Sequence, residues 1–209
     1  MISLAAAVSF FVLAFAMALS PGPNLLYLAS RSLCQGRAAG FASLAGVCSG
    51  MLVYLCATAA GLGALFNTVP LLYELVRDLG AIYLLWLAWR TLRARMPPAV
   101  SNAPTPVSGW RLYRQGFLTC LLNPKIVLTY GALLPQFVQT EQGSVAWQVV
   151  TLGGLQIGAA SLAHGSVILA AAGVAQALRR QPRFLAIQRY LLAGLLSAVA
   201  LQLAWRRAP

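Results

Sequence analysis

The sequence predicts an all-α integral membrane protein. Its six transmembrane helices form two inverted three-helix repeats, each opening with a proline-broken helix. Three observations lead there. The first is composition: 60% of the 209 residues are hydrophobic and only 9% are charged, with a mean hydropathy of +0.76. A soluble domain carries about 25% charged residues. The second is six apolar stretches that meet the ~20-residue length of a spanning helix: 4–30, 40–66, 71–92, 115–138, 145–178 and 184–205. The third is a pair of breaks, Ser20-Pro21-Gly22-Pro23-Asn24 and Leu121-Leu122-Asn123-Pro124-Lys125, at corresponding places in the two halves. A proline inside a membrane helix frees a backbone carbonyl where hydrocarbon offers no water. Two such breaks in two half-chains mark a transporter with an internal repeat and a site near mid-membrane.

The first span lies in a run from Met1 to Ser30 with no charged residue. It exceeds the length needed, leaving room for an interrupted helix. Ala16-Met17-Ala18 has some likeness to a signal-peptide cleavage site, but no Lys or Arg precedes the apolar stretch, so an uncleaved span is expected. The second span carries Gly46 and Gly50, and the fifth Gly154 and Gly158, each at i, i+4. Small residues at this spacing let helices approach closely. Gly46 and Gly50 serve either a homodimer or packing inside the monomer. Gly153-Gly154 is expected to bend or start the long fifth span. Between the third and fourth spans, Pro97, Pro98, Asn102, Pro104 and Pro106 lie in a polar stretch with no helical period. The chain thus divides into a first repeat (1–93), a cytoplasmic linker (94–110) and a second repeat (111–209).

Charge sets the orientation. Six alternating spans place Arg31, Arg37, Arg90, Arg93, Arg95, Arg111, Arg114, Arg179, Arg180, Arg183 and Arg189 on one side. The other side receives Arg206, Arg207 and Glu141. The positive-inside rule makes the first side cytoplasmic and puts both termini outside. The net charge of +12 therefore marks loops, and no soluble basic face exists for nucleic acid. There is no G-x-x-x-x-G-K loop, and Ser20 and His164 lack an acid at triad spacing, so neither an ATP-driven pump nor a hydrolase is expected. Cys34, Cys48, Cys56 and Cys120 form no C-x-x-C pair and, with one histidine, no metal or cofactor site.

The candidate site residues gather at the breaks. Pro21, Pro23 and Pro124 either kink the helices or unwind them so that amides and carbonyls face a cavity. Gly22 permits close backbone approach. Asn24 and Asn123 each offer a donor and an acceptor, or cap the broken helix. Lys125 is the only lysine in the protein. At mid-membrane it costs about 3 kcal/mol, so it pairs with a carbonyl, meets an anionic group such as a substrate carboxylate, or snorkels to the cytoplasmic surface. Tyr54 is a further polar contact. The candidates for a coupling proton are Lys125, His164, Glu74 and Asp78, although Glu74 and Asp78 with Arg77 between them also read as a local ion-pair group.

Several stretches taken together resemble the LysE/RhtB family of bacterial amino-acid exporters, the homoserine/threonine-type efflux proteins. They are Ser20-Pro21-Gly22-Pro23-Asn24, Arg31-Ser32, Gly36-Arg37-Ala38-Ala39-Gly40 and the run from Leu79 to Arg90. Further on come Gly116-Phe117-Leu118-Thr119, Leu122-Asn123-Pro124-Lys125 and Leu134-Pro135-Gln136-Phe137. The resemblance implies a six-helix inner-membrane exporter of amino acids or close derivatives, driven by the proton motive force. Many relatives carry a histidine or another polar residue after the second-span glycines, where this chain has Tyr54 and Cys56. A membrane thiol–disulfide carrier is the alternative. It needs a cysteine pair exchanging electrons across the bilayer. Cys120 sits at the second break, but the first break has no cysteine. A non-transporting scaffold subunit is a third reading, with no use for the polar breaks.

Overall fold

The structure is a computed structural model. It describes residues 2–61, 107–139, 141 and 143–178, with scattered positions between 75 and 89 and at 194, 197 and 201. Six helices follow one another there: α1 (Leu4–Leu19), α2 (Pro23–Gln35), α3 (Arg37–Ala59), α4 (Gly109–Leu121), α5 (Pro124–Leu128) and α6 (Val145–Leu178). All regular structure among the described residues is helical. Most of the third span, the proline-rich linker and most of the sixth span lie outside the described residues, as do Glu74 and Arg77.

Both predicted breaks are present. The axes of α1 and α2 meet at 58°, and those of α4 and the segment Pro124–Phe137 at 54°. Pro23 and Pro124 each occupy the first position of the helix after the break, where a missing N–H costs nothing. Apolar length and composition suit α3 and α6 to cross a membrane, and each bent pair suits one further crossing. After α5 the chain passes through a π turn (Thr129–Leu133), with the Leu134 N–H donating to the Thr129 carbonyl, and a 3-10 turn (Leu134–Phe137). Pro135 explains the change of winding. It has no N–H for the Gly131 carbonyl, so an α ladder cannot continue.

Some boundaries differ from expectation. The second span starts at Arg37 and its helix ends at Ala59, followed by Gly61 at φ 85°, rather than running from 40 to 66. The fourth begins at Gly109, inside the stretch assigned to the linker. Gly153-Gly154 neither bends nor starts α6, which is continuous through both. The turn from α2 to α3 is one residue, Gly36, at φ 85°. That left-handed conformation explains the glycine in Gly36-Arg37-Ala38.

The two broken spans run antiparallel. Phe10 of α1 meets Phe137 edge-on at 5.0 Å between ring centres. At the opposite end, Arg31 of α2 donates to Gln115 Oε1 of α4 at 3.0 Å. The breaks lie between these contacts. The Arg31 end also carries Arg111 and Arg114 of α4.

Helices α3 and α4 share the most intimate contact. A Cβ on Gly46 would lie 2.0 Å from the Tyr113 carbonyl oxygen, and one on Gly116 2.1 Å from the Ser43 carbonyl oxygen. Gly50 faces Cys120 in the same way, at 2.7 Å from its Cβ. Gly46 and Gly50 therefore pack inside the chain, and this face is not free for a dimer. In α6 it is Gly153, against Leu55, that admits a close neighbour. Gly154 and Gly158 meet nothing within 4 Å among the described residues. Helix α6 closes the core against α1, α2 and α3, burying Phe10, Leu28, Val47, Met51, Leu152, Ala159 and Ile168.

Candidate functional site

Each break leaves carbonyls that an unbroken helix would have satisfied. In a continuous helix the Met17 carbonyl would accept from residue 21 and the Leu19 carbonyl from residue 23, but both are prolines without an N–H. The Ser20 N–H turns back to the Ala16 and Met17 carbonyls. Lys125 completes the end of α1 from the other broken span. Its Nζ donates to the Met17 carbonyl, to the Ser20 carbonyl at 3.1 Å and to Ser20 Oγ at 3.0 Å. The cation thus stands at the negative end of the α1 dipole. Of the readings open to it in the sequence, pairing with carbonyls is the one these contacts show.

The second break is organised differently. Asn123 caps α5 by accepting from the Lys125 backbone N–H at 3.1 Å. That N–H would otherwise have gone to the Leu121 carbonyl. Instead, Leu121 O accepts the Tyr54 hydroxyl of α3 at 2.6 Å. Tyr54 was expected at the substrate. It lies outside the recess, stacked on Tyr130 at 6.0 Å, and its hydroxyl serves the freed carbonyl. An aromatic phenol is suited to this, since its only polar atom reaches a partner while the ring stays buried.

The breaks meet at one small, half-open recess. Its wall comprises the end of α1 (Met17, Ala18, Ser20), the start of α2 (Gly22, Asn24, Leu25) and the start of α5 (Asn123, Lys125, Ile126). Thr129, Met51 of α3, and Gln156, Ala160 and His164 of α6 complete it. Of the sequence candidates, Gly22, Asn24, Asn123, Lys125 and His164 come together here. Pro21, Pro23 and Pro124 shape the wall without lining it. Asp78 is exposed, has an interaction of its own and does not line the recess.

The polar lining is unusual for its buried atoms without partners. Asn24 is 3% exposed and lies beside the Cys120 thiol, and neither its amide nitrogen nor its oxygen has an oxygen or nitrogen partner among the described residues. The same holds for Gln156 Oε1 and His164 Nδ1. A buried unsatisfied polar atom costs about 1–3 kcal/mol, so a cluster of them calls for a ligand or water. Sequence reasoning missed Gln156, Thr129 and Met51. The signal for Gln156 was present: a large amide in an apolar run, where every neighbour from Leu152 to Ala160 is small or apolar.

The sequence matches the family described as LysE type translocator over residues 15–207. The chain belongs to that family. Among its relatives is the homoserine/homoserine lactone efflux protein of Salmonella typhimurium, 31% identical over 137 residues, 66% of either chain. The leucine efflux protein of Enterobacter sp. is 34% identical over 128 residues, 60% of either chain. The membrane protein YahN of Escherichia coli, described as uncharacterized, is 31% identical over 154 residues, 71% of this chain and 68% of its own. The chain thus spans about two thirds of the length of the relatives it matches. No solved structure matches it.

Proposed function

We propose that the protein is a secondary exporter of small amino acids or close derivatives, driven by the proton motive force across the bacterial inner membrane. The observation that carries this reading is the recess itself. It lies where two broken, antiparallel spans meet, and it holds buried polar atoms without partners. An amino-acid zwitterion needs acceptors for its ammonium and donors for its carboxylate. The end of α1 offers carbonyls. The first turn of α2 offers the N–H groups of Asn24 and Leu25, which have no acceptor within their own helix. The two named efflux relatives support the same substrate class.

The proposed architecture is six spans in two inverted repeats, 1–93 and 111–209, with both termini outside. The antiparallel broken spans and the shared end of Arg31, Arg111 and Arg114 support it. Transport proceeds by alternating access, with substrate entering from the cytoplasm and inward proton movement driving outward release. Lys125 and His164 face the recess and are the proposed proton carriers. Asp78 and Glu74 are left as outer-end groups. The thiol–disulfide alternative gains no support, because the named relatives are efflux proteins.

The test is efflux from cells preloaded with dipeptides that release homoserine, threonine, leucine, arginine or lysine. The wild-type chain is expected to accelerate efflux of one class. Lys125→Ala and a protonophore are each expected to remove at least nine-tenths of that acceleration. Unchanged efflux across the whole panel, with the protein confirmed in the membrane, would refute the reading.

A further inference from the structure

The contacts of Lys125 carry more than a structural role. Its ammonium donates to two carbonyls and one hydroxyl, all at the end of α1. Three acceptors around one point match the three N–H donors of a primary ammonium. Those acceptors are at the wall of the recess, beside the unpartnered atoms of Asn24, Gln156 and His164. The lysine stem reaches them across the recess from the start of α5, passing Gly22; a Cβ there would be 3.6 Å from Lys125 Cδ.

We propose that the Met17 and Ser20 carbonyls with Ser20 Oγ form the ammonium subsite of the transporter, and that Lys125 is its tethered occupant. This rests on the exporter reading and deepens it. A substrate ammonium enters by displacing the Lys125 ammonium from the same acceptors. The displaced cation is then placed to meet the substrate carboxylate. Exchange also severs the link from α5 to the end of α1, which is a direct tie between the two broken spans. Substrate binding and release of that tie are one event. A ligand shifts a conformational equilibrium only through its different affinity for the two states, and competition with Lys125 supplies that difference. The subsite also sets specificity: a group with fewer N–H donors leaves one of the three acceptors without a donor.

The experiment needs no knowledge of the physiological substrate. The full chain is purified in detergent, and its thermal midpoint is read in ethylammonium chloride and, at equal ionic strength, in tetramethylammonium chloride. Ethylammonium has three N–H donors; tetramethylammonium has none. For Lys125→Ala we expect a midpoint several degrees below wild type, recovered by ethylammonium and not by tetramethylammonium. Wild type should show no difference between the salts, because Lys125 already fills the subsite and ethylammonium has no carboxylate to receive the displaced lysine. Lys125→Met, which keeps most of the apolar stem, is run in parallel and guards against misfolding of the alanine variant. Equal responses of both variants to the two salts would overturn the proposal, as would an ethylammonium-specific shift in wild type of the same size. Ethylammonium selectivity without amino-acid efflux would keep the subsite and remove the exporter reading. Efflux without that selectivity would do the reverse.

Discussion

Gly46→Ala is expected to destabilise the protein more than any other single-methyl addition among the described glycines. The added Cβ would lie 2.0 Å from the Tyr113 carbonyl oxygen and 2.8 Å from the Phe117 backbone nitrogen. Both are backbone atoms of α4, so no side chain can rotate away. The two helices must separate by roughly an ångström, and their interlocked contacts at Gly50 and Gly116 open with them. Ordinary overpacking costs about 1–3 kcal/mol through side-chain shifts; here the cost should exceed that range. The check is the yield of monodisperse protein after detergent extraction, with the thermal midpoint of what survives. Gly165→Ala is the matched control. Its Cβ would be an ordinary 3.9 Å from Phe41 Cε1, and replacing a helical glycine gains about 1 kcal/mol of propensity. Normal yield and midpoint for Gly46→Ala would show that α3 and α4 do not meet as described.

Asn24→Leu should move stability and function in opposite directions. The amide is buried at the start of α2, and neither of its polar atoms has an oxygen or nitrogen partner among the described residues. Leucine has nearly the same shape and nothing to satisfy. Removing two unsatisfied atoms, each worth about 1–3 kcal/mol, should raise the thermal midpoint by several degrees. A site that must receive a polar ligand holds such atoms at a cost to stability. Efflux should fall by at least tenfold, since a well-oriented polar contact contributes more than one factor of ten when its partner is left buried. A lower midpoint with full efflux would mean that Asn24 is a structural residue with partners of its own.

The breaks were legible because their cause is local. Proline lacks an N–H, and each interruption falls within a residue or two of the motif. The pairing of Lys125 with a carbonyl was also anticipated, from the cost of an unpaired charge at that depth. Which carbonyls it meets was not, since Met17 and Ser20 lie more than a hundred residues away in sequence. The partner of the Tyr54 hydroxyl, the Leu121 carbonyl, was hidden for the same reason. Polarity near a cavity is visible in a sequence, whereas the direction of a hydroxyl depends on the neighbouring helix. The π turn at Thr129–Leu133 follows from Pro135, a signal present but unread. Gly46 and Gly50 were read as packing residues, and the choice between partner helices needed the fold. Gly154 and Gly158 have the same spacing but no such close contact among the described residues.

The central claim is that substrate binds in the recess between the two breaks. Gly22 gives direct access to it: its backbone is extended, at φ −174° and ψ 174°, and an added Cβ meets Lys125 Cδ at an ordinary 3.6 Å. The decisive measurement is alkylation of Gly22→Cys in a variant whose four native cysteines are replaced by alanine. The amino acid that the cells export should slow alkylation at least fivefold, with half-protection near its transport KM. An alkylation rate that no exported amino acid alters, in a variant that still transports, would contradict the claim.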